Sequence, residues 1–120
     1  MTSNRRVVIT GLGAITPLGL STQETWKSAL AAKSGIGKIT CFDPSECPVQ
    51  IAGEVKGFEV KASEVAKKIA SPKDMHKMGR FTHFTLAAGL EAYADSGLDT
   101  VRDRFPPERM GTNIGVGIGG

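Results

Sequence analysis

Two histidines and two cysteines are the side chains whose chemistry would suit a metal site or a covalent nucleophile. His76 and His83 are seven residues apart, which on a helix places them on one face but about 10 Å apart along the axis, too far to share a metal ion. Cys41 and Cys47 have neither a C-x-x-C spacing nor a nearby histidine. Asp43 beside Cys41 would raise the pKa of that thiol and disfavour its thiolate. We therefore expect two free thiols, no metal site and no catalytic centre among these side chains.

Residues 11–16 read Gly-Leu-Gly-Ala-Ile-Thr after an apolar run, which superficially matches a dinucleotide-binding fingerprint. Thr16 stands in place of the third glycine, Pro17 delays the helix, and no acidic residue ends a second strand about twenty residues later, so the phosphate-binding geometry is not assembled. A nucleotide-binding α/β domain is therefore disfavoured. The pattern instead predicts a tight turn in which Gly11 and Gly13 allow close backbone packing, and it predicts no cofactor.

The basic residues are concentrated in one segment. The whole chain has a formal net charge of +3, whereas residues 61–80 alone carry six basic and two acidic side chains. Such a segment can be the electrostatic footprint for an acidic partner or a solvated helix face, and the charge pattern alone leaves both interpretations open.

Residues 114–120 alternate branched apolar side chains with glycines, which predicts a strand ending at Gly120 with one face of bare backbone. Either a helix packs closely on that face, or a narrow apolar slot beside an active site lies there with Ile118 as its wall. A buried strand needs neighbours for its backbone hydrogen bonds. We therefore interpret the 120 residues as the first part of a larger enzyme.

The elements that would position these residues follow an α/β order. Residues 5–11 form a β-branched run typical of a strand covered on both faces. Ser21 and Glu24 fit a capping box that opens a helix to about Ala32, with Trp26 and Leu30 on its inner face. Gly35 is expected to end this helix in a left-handed conformation.

The rest of the chain is divided by its turn-forming residues. Residues 36–48 predict a surface loop, and residues 49–55 alternate as in a half-exposed strand or hairpin arm. Helices are predicted for residues 62–70 and 72–78, the second with Ser71 as N-cap and Pro72 as its first residue. The strongest helical pattern spans residues 81–95, has an apolar surface around most of its circumference, and ends at Gly97. Residues 99–109 are expected to be a surface connection.

The composition is that of an ordinary globular chain, with 40% hydrophobic and 22% charged residues. The sequence has no apolar stretch of membrane-spanning length, and the apolar run in its first ten residues is too short for a signal peptide core. We expect a cytoplasmic protein that binds neither membrane nor nucleic acid.

A set of short segments occurs in a characteristic order: residues 5–13, 16–19, the Trp26 helix that leads to 34–36, 77–78, 80–81, 94–98 and 115–120. In this order they resemble the β-ketoacyl-acyl carrier protein synthases, in particular the elongating bacterial enzymes of the synthase II type. The resemblance covers essentially the whole chain, although members of that family are several times longer.

The resemblance implies a thiolase-like layered αβαβα fold, of which residues 1–120 are the N-terminal part. It implies a cofactor-free homodimer that condenses an acyl thioester with malonyl-acyl carrier protein, with the catalytic cysteine and two histidines outside this chain. Lys73, His76 and Lys77 match the basic helix that receives the acidic carrier protein. Gly117 and Ile118 match the acyl pocket, with Ile118 as its gate.

Two alternatives remain open within this resemblance. The protein could be a ketosynthase of a polyketide pathway, or a non-catalytic fragment that retains only carrier-protein binding.

Overall fold

The computed structural model of the chain describes residues 6–58, 72–75 and 77–118. Helices and a two-stranded sheet are both present, which agrees with the expected α/β class at this level. Three 3₁₀ turns follow the last helix, so residues 99–109 form the irregular surface connection that the sequence predicts. The elements in chain order are α1 (Thr22–Leu30), β1 (Ile36–Lys38), β2 (Ile51–Gly53), α2 (Pro72–Met75), α3 (Arg80–Asp95), and the 3₁₀ turns Leu98–Thr100, Arg102–Arg104 and Pro107–Arg109.

The sheet is an antiparallel pair in which Ile36 is opposite Gly53 and Lys38 is opposite Ile51. One further hydrogen bond, from Ile39 N to Gln50 O at 3.0 Å, extends the ladder toward the connecting loop. The predicted hairpin arm in residues 49–55 is thus confirmed. The loop predicted from residue 36 begins only after β1, because the proline turns that disfavour pairing are concentrated in residues 43–48.

Two predicted strands are absent from the described part of the chain. Residues 6–10 and 110–116 have neither helix nor strand structure, and no described segment pairs with them. An apolar β-branched run provides side chains that suit a strand, but a strand also requires a neighbouring backbone for its hydrogen bonds. Residues 119–120, the end of the predicted terminal strand, lie outside the described residues.

Residues 11–14 lie directly against the backbone of α3. A Cβ atom added to Gly13 would collide with the carbonyl oxygen of Ala88, and one added to Gly11 would lie 2.6 Å from Ser96 N. Close packing at both glycines is therefore confirmed. The tight turn itself lies further on, in residues 16–19, where Thr16 N donates to Gly19 O at 2.9 Å.

Two carboxylates of α3 hold this segment in place. Asp95 Oδ2 accepts a hydrogen bond from Leu12 N at 2.9 Å, and Glu91 Oε2 accepts one from Ala14 N at 2.9 Å. The second oxygen of Glu91 accepts from Thr22 N, the first residue of α1, at 2.8 Å. The backbone amides of a helix's first turn lack intrahelical partners and favour negative charge. Glu91 therefore attaches both residues 11–14 and the start of α1 to α3.

The predicted capping box of α1 is confirmed with one difference. Ser21 Oγ accepts from Glu24 N at 3.1 Å, as expected, but the Glu24 carboxylate accepts from Leu20 N at 2.8 Å. The carboxylate thus bonds one residue earlier than the usual partner of a capping box, the amide of the N-cap residue.

Within the described residues, the face of α1 that was predicted to point inward is not covered. Trp26 and Leu30 are 65% and 70% exposed, whereas Thr22 and Thr25 face the rest of the described structure. Thr22 N donates to Glu91, and the Thr25 hydroxyl lies 2.9 Å from that of Thr16. These polar bonds fix which face of α1 turns inward, and they leave its apolar face outside.

The end of α1 also differs from the prediction. The helix ends in a Schellman motif in which Ala32 N donates to Ala29 O and Lys33 N to Ser28 O, both at 3.0 Å. Ala32 has the left-handed conformation with φ of 52°, although Gly35 was expected there. Gly35 is required for another reason, because a Cβ atom on it would lie 2.9 Å from Pro17 Cβ.

The predicted long helix is confirmed as α3, and Gly97 follows it with φ of 65°. Its predicted burial is only partly observed. Ala87 is its buried residue, while most of its other side chains are half-buried. The predicted helix at residues 62–70 lies outside the described residues. The helix predicted for residues 72–78 begins at Pro72 as expected, but residues 77–78 form a turn.

Replacing Ala32 with glycine is expected to stabilise the folded protein by about 0.5–1 kcal/mol, because glycine adopts a left-handed conformation without the steric cost that a Cβ atom imposes. Urea unfolding of the complete protein measures the change. Ala31→Gly is the matched control, since Ala31 has φ of −82° and gains nothing from glycine. Equal effects of the two substitutions would contradict the role of the left-handed conformation.

Candidate functional site

The basic docking segment is described in part. Lys73 lies in α2 and Lys77 in the turn that follows it, and both residues are exposed. The turn is closed by hydrogen bonds from Lys77 N to Asp74 O at 3.0 Å and from Met78 N to Met75 O at 3.2 Å. His76 lies outside the described residues. The structure therefore presents two of the three predicted carrier-binding side chains to solvent, close together in the chain.

Arg80, the last basic residue of the segment, is engaged within the protein. Its guanidinium Nη2 donates to Val55 O at 2.7 Å, and its Cζ lies 5.3 Å from the ring centroid of Phe84. Phe58 packs edge-on against the same ring at a centroid distance of 5.1 Å. These contacts tie the start of α3 to the chain that follows β2, so Arg80 has a structural role besides its charge.

The segment is anchored at Met75. This side chain is 7% exposed, and it is one of two buried hydrophobic side chains among the described residues. Its carbonyl oxygen lies 3.0 Å from Nε2 of His83, which is half-buried on α3. The bond explains the position of His83 without any catalytic role, because its ring nitrogen faces a backbone carbonyl and not a carboxylate or thiol.

The predicted acyl-pocket residues lie in an irregular stretch. Ile118 is 95% exposed, and a Cβ atom added to Gly117 would meet no atom within 4 Å. Within the described residues, nothing packs on the bare backbone of this stretch. The slot with Ile118 as its gate stays a prediction.

One cavity of about 340 Å³ lies between the turn at residues 16–19 and the sheet. Its polar wall includes Glu54 and Lys56, whose charged groups are 3.8 Å apart. None of the predicted site residues lines it.

The Glu54 carboxylate is hydrogen-bonded to the residues that follow β1. It accepts hydrogen bonds from Thr40 N at 2.8 Å, Thr40 Oγ1 at 2.7 Å and Cys41 N at 3.0 Å. Hydrogen bonds from the Cys41 thiol and from Thr40 lower the pKa of Glu54 from 4.5 to about 2.

The same contact settles the chemistry of Cys41. Its hydrogen bond to the Glu54 carboxylate raises the pKa of the thiol, so the protonated form is favoured. The expected raised pKa of the Cys41 thiol is confirmed, but the responsible carboxylate is Glu54. Asp43 accepts instead from Ser45 N at 3.1 Å. Both cysteines are free thiols, as predicted.

Residues 6–58, 72–75 and 77–118 contain neither a metal site nor a membrane-spanning helix. No group of three or more metal-ligating side chains in these ranges could hold an ion. No helix in the same ranges is long and apolar enough to cross a membrane.

Sequence reasoning missed the structural carboxylates Glu54, Glu91 and Asp95. A signal for two of them was present, because Glu91 and Asp95 are one turn apart on a helix that is otherwise mainly apolar and small. An acidic pair on such a helix indicates buried or backbone partners. Glu54 gives no comparable signal, because its partners come from a loop more than ten residues earlier.

Comparison with known proteins gives one family. The model of the β-ketoacyl synthase N-terminal domain matches residues 4–120. The 3-oxoacyl-(acyl-carrier-protein) synthase 2 of Vibrio cholerae is 41% identical over 98% of this chain and 27% of its own length. The proteins of the same name from Staphylococcus aureus strain N315 and from Synechocystis are 42% and 40% identical over 100% and 97% of the chain. The chain spans about a quarter of the length of these relatives.

Glu54 is expected to make the stability of the folded protein sensitive to acid. Because its pKa is lowered on folding, its stabilising contribution is present above about pH 4.5 and is lost as the pH falls toward about 2. Urea unfolding of the parent protein and of Glu54→Gln between pH 6 and pH 3 measures the difference. The difference in the free energy of unfolding between the parent protein and Glu54→Gln should become smaller as the pH falls.

Glu46→Gln serves as the control, since Glu46 is an exposed acid of the loop between the two strands. The role assigned to Glu54 would be contradicted if the difference in the free energy of unfolding between the parent and Glu54→Gln did not change with pH. It would also be contradicted if the difference between the parent and Glu46→Gln decreased by the same amount.

Proposed function

The chain belongs to the β-ketoacyl synthase family, whose N-terminal domain it matches over residues 4–120, and from this membership we propose that the protein is an elongating 3-oxoacyl-(acyl-carrier-protein) synthase of fatty acid biosynthesis. The observation that carries the proposal is an identity of about 41% to synthases of that name along nearly the whole chain. The raised pKa of Cys41, which disfavours its thiolate, agrees with a nucleophile supplied by another part of the protein.

The proposed reaction is a decarboxylative condensation. An enzyme cysteine attacks the acyl thioester of one carrier protein, takes the acyl group and releases the carrier thiol. Malonyl carrier protein then loses CO₂, and the carbanion that results attacks the acyl-enzyme carbonyl and expels the cysteine thiolate. The product is a 3-oxoacyl thioester two carbons longer than the acyl group. We assign the cysteine and two catalytic histidines to parts of the protein other than residues 1–120.

We propose the thiolase-like layered fold for the complete domain, and a cytoplasmic homodimer as its assembly. The described residues expose many apolar side chains, including the outer face of α1. Exposed apolar surface of this extent is unusual in a finished globular protein and indicates contacts with further protein. Layers of the same domain would cover it.

Within this function, Lys73, His76 and Lys77 receive the acidic acyl carrier protein. Lys73 and Lys77 support the assignment because both are exposed at a turn. Charges on an exposed surface steer an oppositely charged partner and fix its orientation more than they add to affinity. Gly117 and Ile118 line the acyl pocket, and Ile118 gates it by changing rotamer.

The activity and its docking surface are tested in one assay. The complete protein, given acyl and malonyl carrier proteins, should release CO₂ and form the 3-oxoacyl product. The Lys73→Glu, Lys77→Glu variant should have a KM for the carrier protein about tenfold higher at low salt, and the difference should shrink with salt because exposed charges are screened over roughly 10 Å at 0.1 M ionic strength.

Lys33→Glu, Lys38→Glu is the control, since both lysines are exposed but lie outside the basic segment. Absence of the 3-oxoacyl product would reject the proposed activity. A parent-like KM for the Lys73→Glu, Lys77→Glu variant at low salt would reject the docking surface alone.

Replacing Ile118 with phenylalanine should block long acyl groups and spare short ones. One or two methylenes of acyl chain excluded from the pocket are worth about 1–2 kcal/mol, or roughly five- to thirtyfold in rate. The measurement is the acylation rate of the complete enzyme against acyl length. Ile114→Phe is the matched control in the same stretch. An equal decrease in the acylation rate of Ile118→Phe at all acyl lengths would show that Ile118 is an ordinary packing residue.

A further inference from the structure

His83 connects the basic docking segment to α3. Its Nε2 lies 3.0 Å from the carbonyl oxygen of Met75, the last residue of α2. A carbonyl oxygen only accepts hydrogen bonds, so the contact requires a hydrogen on Nε2. The final carbonyls of a helix have no donor from the next turn of the helix, and the Met75 carbonyl instead accepts from Met78 N at 3.2 Å and from His83 with its second lone pair.

Contacts with other parts of the protein must hold α2 in place. A helix of four residues is far too short to be stable by itself in water. The contacts that hold its end include the burial of the Met75 side chain and the His83 bond to the Met75 carbonyl. The same carbonyl also accepts from Met78 N at 3.2 Å, so the turn that carries Lys77 shares the anchor point.

The two exposed lysines lie two residues before and two residues after this anchor. The direction of their ammonium groups therefore depends on the orientation of the Met75 peptide. His83 itself is half-buried, and on α3 it lies one turn from the helix start, next to the Arg80 and Phe84 contacts that fix that end of α3. His83 thus links α3 to the short helix α2 and the turn after it, which carry the charges of Lys73 and Lys77.

We propose that His83 is a positioning residue of the carrier-protein docking surface, which orients Lys73 and Lys77 by holding the end of α2 through the Met75 carbonyl. The proposal rests on the proposed function, in which those lysines receive the carrier protein. His83 acts through the docking segment and touches neither the acyl chain nor the reacting atoms.

His83→Leu removes the donor and keeps an apolar side chain of moderate size. In the complete enzyme it should raise the KM for the acyl carrier protein about three- to tenfold, the range expected for one lost hydrogen bond. The KM for a small acyl thioester without a carrier protein should stay at the parent value. A merely structural defect would move both constants or lower the yield of folded enzyme.

Two further variants make the result decisive. His83→Gln places an amide N–H near the position of Nε2 and should bring the carrier-protein KM back toward the parent value. Tyr93→Phe removes another side-chain hydrogen bond of α3, to Asp99 at 2.9 Å, about 15 Å away along the helix, and should leave the carrier-protein KM unchanged.

The inference is overturned if His83→Leu leaves the carrier-protein KM unchanged, if it raises both constants equally, or if His83→Gln behaves like His83→Leu. The Lys73→Glu, Lys77→Glu variant separates this failure from failure of the proposed function. If the lysine variant raises the carrier-protein KM and His83→Leu does not, only the role of His83 is rejected. If the lysine variant has no effect, the docking surface and the role of His83 are rejected together.

Discussion

The attachment of residues 11–14 and of α1 to α3 depends on one carboxylate, that of Glu91. Its two oxygens accept backbone N–H groups from two separate segments, at Ala14 and at Thr22. A charged acceptor makes stronger hydrogen bonds than a neutral one, and both donors belong to backbone that has no secondary-structure partner for them. Without Glu91, residues 11–14 and α1 would each lose a bond to α3. Asp95, one turn later, extends the attachment to Leu12.

The hydrogen bonds of the Glu91 and Asp95 carboxylates depend on the glycines of residues 11–14. Glu91 and Asp95 can reach the amides of Ala14 and Leu12 only if the backbone lies directly on α3. Gly11 and Gly13 permit this because a Cβ atom on either would meet the helix backbone. A small-residue surface on α3, at Ala88 and Ala92, completes the fit. Residues 11–16, which superficially match a dinucleotide-binding fingerprint, therefore serve to pack the backbone closely on α3.

Local features of the sequence predicted the local structure well. The Ser21 cap, the extent of α3 and the left-handed Gly97 each depend on residues a few positions apart, and all three are observed. Features that depend on distant partners were missed. Periodicity identified an apolar face on α1, but the hydrogen bonds of Thr22 and Thr25 to other segments decided which face turned inward. The candidate site followed the same rule, since charge density located Lys73 and Lys77 but gave no sign of the bond between His83 and Met75.

The outward apolar face of α1 also has a spectroscopic consequence. Trp26 is the single tryptophan of the 120 residues, and most of its surface is open to water. Indole emission shifts to shorter wavelength when the ring leaves water for an apolar contact. Trp26 is thus an intrinsic fluorescent reporter on the outer side of α1. Without an attached dye, its emission wavelength distinguishes a solvent-exposed helix from one that another protein layer covers.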